Sequence, residues 1–130
     1  MLANPGVDRT ELALNVETLE TDLNVSAANT HVIEHGGRIL ALEEGAYPYE
    51  LSPDLATVGP YTFDGALTTA MTAHPKTCPD TGELLFFGYN VMAAPFMTYH
   101  RADVSGKLLQ SVPLDMGGAT MIHDLSLIHI

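Results

Sequence analysis

Glycine-bearing turn signals recur along this chain at short, even intervals: His35-Gly36-Gly37-Arg38, Asp64-Gly65, Asp80-Thr81-Gly82-Glu83, Val104-Ser105-Gly106-Lys107 and Gly117-Gly118. That punctuation leaves room for strands and little else, and no long stretch between the turns carries a helical period. Thr30-His31-Val32-Ile33-Glu34 and Arg38-Ile39-Leu40-Ala41-Leu42-Glu43 read as the two arms of a hairpin, β-branched and apolar on both sides of a Gly-Gly turn. Glu83 to Tyr89, Phe96 to Arg101 and Leu108 to Val112 read as a second meander. Leu12 to Leu23 fits a short helix by its Glu and Leu content and an edge or linker strand by Val16, Thr18 and Thr21. The expected class is all-β, a meander of small antiparallel sheets such as a propeller, sandwich or barrel uses. About seven to nine strands would make roughly two propeller blades of four strands each. Two blades do not close a ring and leave sheet edges unprotected, so the expectation is a fragment of a larger fold.

A length of 130 residues with 46% hydrophobic residues and a mean hydropathy of +0.13 suffices for the core of one small domain. Sixteen acidic residues against five basic ones, net charge −11, argue against a nucleic-acid partner, because little could replace the counterions of a phosphate backbone. No apolar run of about 18 residues is present to span a bilayer. The start, Met1-Leu2-Ala3-Asn4-Pro5-Gly6, lacks the basic and apolar regions of a secretory signal. A soluble, cytoplasmic protein is expected. Cys78 is the single cysteine, so no internal disulfide can form, and it reads as a bystander thiol in a Pro-rich loop.

His74 and His123 stand out against this background. Each lies in a short apolar segment expected to be β, Thr69 to Lys76 and Thr120 to Asp124. An imidazole fixed in an apolar wall has a set direction and limited access to water, which suits a metal ligand. Taken singly, either would more commonly be a hydrogen-bonded core histidine. His35 and His100 read as solvent-facing, Asp124 as a solvated carboxylate, and Phe86, Phe87, Tyr89, Phe96 and Tyr99 mostly as sheet core.

Several stretches in order resemble the carotenoid cleavage oxygenases, the family of lignostilbene dioxygenases, apocarotenoid oxygenases and the retinal-pigment-epithelium isomerase. They are Asn29 to Gly45, Pro48-Tyr49-Glu50-Leu51, Thr72-Ala73-His74-Pro75-Lys76, Thr81-Gly82-Glu83-Leu84 with Phe86-Phe87-Gly88-Tyr89, and Met121-Ile122-His123-Asp124. The resemblance covers roughly residues 26 to 124. It implies a seven-bladed β-propeller with Fe(II) on its axis, held by four histidines, of which His74 and His123 would be two. It also implies Glu44 as a carboxylate supporting His123 from outside the ligand set. The implied reaction is cleavage of a conjugated C=C bond of a carotenoid, apocarotenoid or stilbene by O2 into two carbonyl products. Peripheral membrane contact would belong to the full-length protein, and no partner protein is identifiable. Neutral imidazoles suit Fe(II) and leave positions open. Residues 1–25 are expected to be a linker or edge segment and 26–124 the partial propeller. Residues 125–130, Leu125-Ser126-Leu127-Ile128-His129-Ile130, fit the family poorly and are expected to be a non-native tail. With half a ligand set, the isolated chain is expected to be inactive. The competing reading is a non-catalytic propeller-type interaction scaffold.

Overall fold

Gly36 and Gly37 carry the geometry that a two-residue hairpin needs. In the computed structural model of the chain, which describes residues 14–15, 20–119, 122 and 124, their φ angles are +59° and +77°. A left-handed pair of this kind matches the twist of the flanking strands. The described strands are β1 (Leu14–Asn15), β2 (Glu20–Thr21), β3 (His31–His35), β4 (Arg38–Leu42), β5 (Tyr49–Leu51), β6 (Thr57–Pro60), β7 (Lys76–Thr77), β8 (Leu84–Tyr89), β9 (Met97–Ala102) and β10 (Leu108–Leu114). No helix occurs among the described residues. β1 pairs with β2, so the segment open between helix and strand contains strand at Leu14–Asn15 and Glu20–Thr21, followed by a turn at Leu23.

The other strands form two four-stranded antiparallel sheets, β3-β4-β5-β6 and β7-β8-β9-β10, in each of which chain neighbours pair in order. Pro60 and Pro113 both lie in edge strands, β6 and β10, where a missing N–H costs least. Residues 61–73 join the two sheets and supply much of the core. Tyr61, Phe63, Leu67, Met71 and Ala73 from this connector cluster with Leu40 and Leu42 of β4, Leu84 and Phe86 of β8, and Ala102 of β9. Leu42, Met71 and Ala73 are fully buried.

The sheets also meet at their turns. A Cβ placed on Gly36 would stand 2.6 Å from the Ser105 carbonyl oxygen in the β9–β10 turn. Gly36→Ala therefore combines a left-handed φ with a backbone collision, and a loss of about 1–3 kcal/mol is expected in urea unfolding. An unchanged midpoint would show that the two turns are not packed in this way.

One expected strand is absent. Thr69 to Lys76 reads as β from its apolar, Thr-rich composition, yet only Lys76 and Thr77 join a ladder, pairing with Leu85 and Leu84. Upstream, the backbone N–H groups bond outside any ladder: Met71 N–H donates to Ala46 O at 3.0 Å and Thr72 N–H to Phe87 O at 2.8 Å. The segment is a buried cross-strap between the sheets.

Candidate metal centre

His74 sits at the end of this strap, two residues before Lys76 opens β7. Its backbone N–H donates to its neighbour's hydroxyl, Thr72 Oγ1, at 3.2 Å. The carbonyl of Ala73 accepts from His31 Nδ1 at 2.7 Å, which makes Nδ1 the protonated nitrogen of His31. The two imidazole rings lie with centroids 5.9 Å apart. While Ala73 is buried, the His74 side chain is 40% exposed, so the ring emerges from a fixed backbone into accessible space.

Glu44 is the carboxylate brought to it. Glu44 Oε1 stands 3.8 Å from His74 Nε2, and Oε2 accepts from Thr72 Oγ1 at 3.5 Å. Glu43, next in the chain, turns away into a cavity and feels Glu44 as a like charge; burial first, then Glu44, raises its carboxyl above the ordinary range. His123, with which the family resemblance associates Glu44, lies outside the described residues, as does the segment 125–130. Its neighbour Asp124 is exposed as expected, but it is also paired: Lys76 Nζ lies 2.8 Å from Asp124 Oδ1. Two residues 48 positions apart, one two places beyond His74 and one beside His123, are thereby joined. No cluster of three or more His, Cys, Asp or Glu side chains placed to hold a metal occurs among the described residues. What they offer a metal is one imidazole on a rigid backbone with a carboxylate at its side, a pairing suited to a ligating histidine.

His100 departs from its expected exposure. It is 1% exposed, and its ring stacks on Phe86 with centroids 4.9 Å apart. The alternation along β9 is reversed from the sequence reading: Thr98, His100 and Ala102 face the connector and Phe86, because β8 packs on both faces and alternation then gives no direction. His100 Nε2 lies 2.8 Å from Thr69 Oγ1, and Nδ1 lies 2.8 Å from Ser111 Oγ. Desolvation lowers its pKa from 6.5 to about 4. Between those values the unfolded chain binds a proton that the folded chain refuses, so His100 contributes stability above pH 6.5 that is lost as pH falls toward 4. The loss expected is up to about 3 kcal/mol. Unfolding curves at pH 7.5 and 4.5 check this when set beside His100→Gln, in which this component of the pH dependence should vanish; equal slopes in both proteins would remove it.

The same residue borders a cavity of about 970 Å3 that also includes Glu43, Tyr89, Val91, Met92 and Pro95 in its wall. Phe86 and Phe87 are buried as expected, whereas Tyr89 divides its surface between sheet and cavity. His35 is half-buried rather than solvent-facing, its Nε2 donating to Gly82 O at 2.9 Å across the sheets. Cys78 lies in the β7–β8 turn, where its bond with the Thr81 hydroxyl lowers the thiol pKa.

Residues 8–127 match the family model described as retinal pigment epithelial membrane protein, a span extending beyond 26 to 124 on both sides. A probable carotenoid cleavage dioxygenase 4 of Arabidopsis thaliana is 41% identical over 108 residues, covering 79% of this chain and 18% of the relative. Isoeugenol monooxygenase of Pseudomonas nitroreducens is 37% identical over 131 residues, covering 98% of this chain and 26% of the relative. Among solved structures, a lignostilbene dioxygenase of Pseudomonas brassicacearum superposes with a TM-score of 0.72 at 41% identity, covering 80% of this chain and 22% of that one. The chain thus spans about a fifth to a quarter of the length of these relatives.

Proposed function

Since the chain belongs to the family of the retinal pigment epithelial membrane protein and the carotenoid cleavage oxygenases, we propose that it is part of an Fe(II)-dependent dioxygenase that cleaves a conjugated C=C bond. The family fold is a seven-bladed propeller, and the two four-stranded sheets are two of its blades. The observation that carries the proposal is the placement of His74, its backbone fixed by bonds from separate elements and its ring beside Glu44.

His74 and His123 would each give one neutral imidazole to the iron, the remaining ligands coming from blades beyond this chain. Glu44 would orient an imidazole by accepting its second N–H. The Lys76–Asp124 pair supports a shared site, since it ties the two histidine-bearing segments together. When bound, ferrous iron supplies the reactivity toward O2 that a closed-shell alkene lacks. The chain's own part is to hold the ligand direction from the buried strap of Ala70, Met71 and Ala73. The substrate class is an apolar conjugated alkene, of the carotenoid, apocarotenoid or stilbene kind, and each product carbonyl takes one atom of O2.

The test uses the full-length protein, loaded with Fe(II) without oxygen and then given 18O2 and a hydroxystilbene or an apocarotenoid. Two carbonyl fragments, each carrying one label before exchange with water, are expected. A full-length protein that binds no iron and leaves both alkenes intact would overturn the reading in favour of an interaction scaffold.

A further inference from the structure

The strap that delivers His74 has no ladder to hold it, so it is fixed by single bonds along its length, and the upstream end depends on a side chain of β9. Thr69 Oγ1 donates its single proton to Ala70 O at 2.8 Å. Its contact with His100 Nε2 at 2.8 Å must then be one in which Thr69 accepts. His100 therefore carries its proton on Nε2, and Nδ1 accepts from the Ser111 hydroxyl. One neutral tautomer satisfies the whole chain Ser111, His100, Thr69, Ala70. It links β10, β9 and the strap, and it is closed below by the Phe86 ring.

From this geometry we infer that His100 is a positioning residue for His74, holding Thr69 and Ala70 against Gly88 so that the strap presents the His74 imidazole at a set height. The inference rests on the reading of His74 as a metal ligand. No slack exists at the anchor: a Cβ on Gly88 would lie 2.0 Å from Ala70 O and 2.3 Å from Thr69 Oγ1. From there Met71 and Thr72 each make one backbone bond, to Ala46 and Phe87, and the Thr72 hydroxyl receives the His74 N–H. Thr69 opens this path five residues before His74, and these few bonds are what hold the backbone between them. A ligand imidazole moved by a fraction of an ångström binds its metal less tightly, as loss of an outer partner does.

The experiment measures Co(II) affinity and the visible ligand-field spectrum of the full-length protein without oxygen, in wild type, Thr69→Val, His100→Leu, the double variant, His74→Ala and Leu84→Ala. Thr69→Val keeps the shape and removes the acceptor, so it serves even if His100→Leu fails to fold. Thr69→Val and His100→Leu are each expected to weaken Co(II) binding at least about ten-fold with a shifted spectrum. The double variant should lose less than the sum of the two single losses, because both substitutions remove the shared His100–Thr69 bond. Leu84→Ala, a core truncation outside this chain of bonds, should keep affinity and spectrum despite lower stability. If His74→Ala abolishes binding while Thr69→Val binds and absorbs like wild type, the positioning role is overturned and the ligand reading survives. If His74→Ala binds Co(II) unchanged, the ligand reading itself fails, and this inference with it.

Discussion

Gly88→Ala is expected to destabilise the protein by more than the ~1–3 kcal/mol usual for overpacking. The added methyl would meet the Ala70 carbonyl oxygen at 2.0 Å, where about 3.4 Å is an ordinary contact, together with the Thr69 hydroxyl at 2.3 Å and its Cβ at 2.9 Å. A flexible side-chain tip could step aside. A backbone carbonyl in a segment already bonded to Ala46 and Phe87 cannot move without breaking those bonds. Gly88 itself pairs with Thr98 inside β8 and β9, so the sheet cannot yield either. Urea unfolding of the full-length variant checks the value, and an unchanged midpoint would mean that the strap does not cross β8 at Gly88.

His74→Ala is the second large effect. In the full-length protein it should abolish metal retention and alkene cleavage while changing stability little, since the side chain is 40% exposed and its neighbouring ring, His31, is tilted with centroids 5.9 Å apart. The backbone N–H of residue 74 would still reach Thr72 Oγ1, so the strap should keep its path. Loss of function without loss of fold separates a ligand from a core histidine. Retained cleavage would remove His74 from the site.

The parts of the fold that were legible in the sequence are those whose signals are local. The β3–β4 hairpin follows from two glycines between β-branched arms, and its register, His35 opposite Arg38 through His31 opposite Leu42, follows from the two-residue turn. The meander of β8, β9 and β10 was likewise readable, although β10 runs on to Leu114 through Pro113, which an edge strand tolerates. The strap was not. Ala70, Met71 and Ala73 are apolar and buried with Thr72, and composition cannot distinguish a buried strand from a buried crossing segment whose N–H groups bond to different partners. His100 was hidden for a related reason: with Met97 and Tyr99 on one side of β9 and Thr98 and Ala102 on the other, hydrophobicity favours the wrong face. A usable signal existed in the polar set Thr69, His100 and Ser111, but only the register that places Ser111 opposite His100 brings it together. Glu44 beside His74 and Glu43 in the cavity wall both lie in the bend after β4, outside any strand, so no periodicity in the sequence assigns either side chain its direction. The pairing of Lys76 with Asp124 joins positions 48 apart and leaves no trace in either local motif.

The most direct measurement for the central claim is the iron content of the full-length protein after anaerobic loading with Fe(II) and removal of free metal, in wild type, His74→Ala and His123→Ala. Stoichiometric iron in the wild type, falling to background in both variants, is the result this account predicts. Iron retained at the wild-type level in either variant would contradict it.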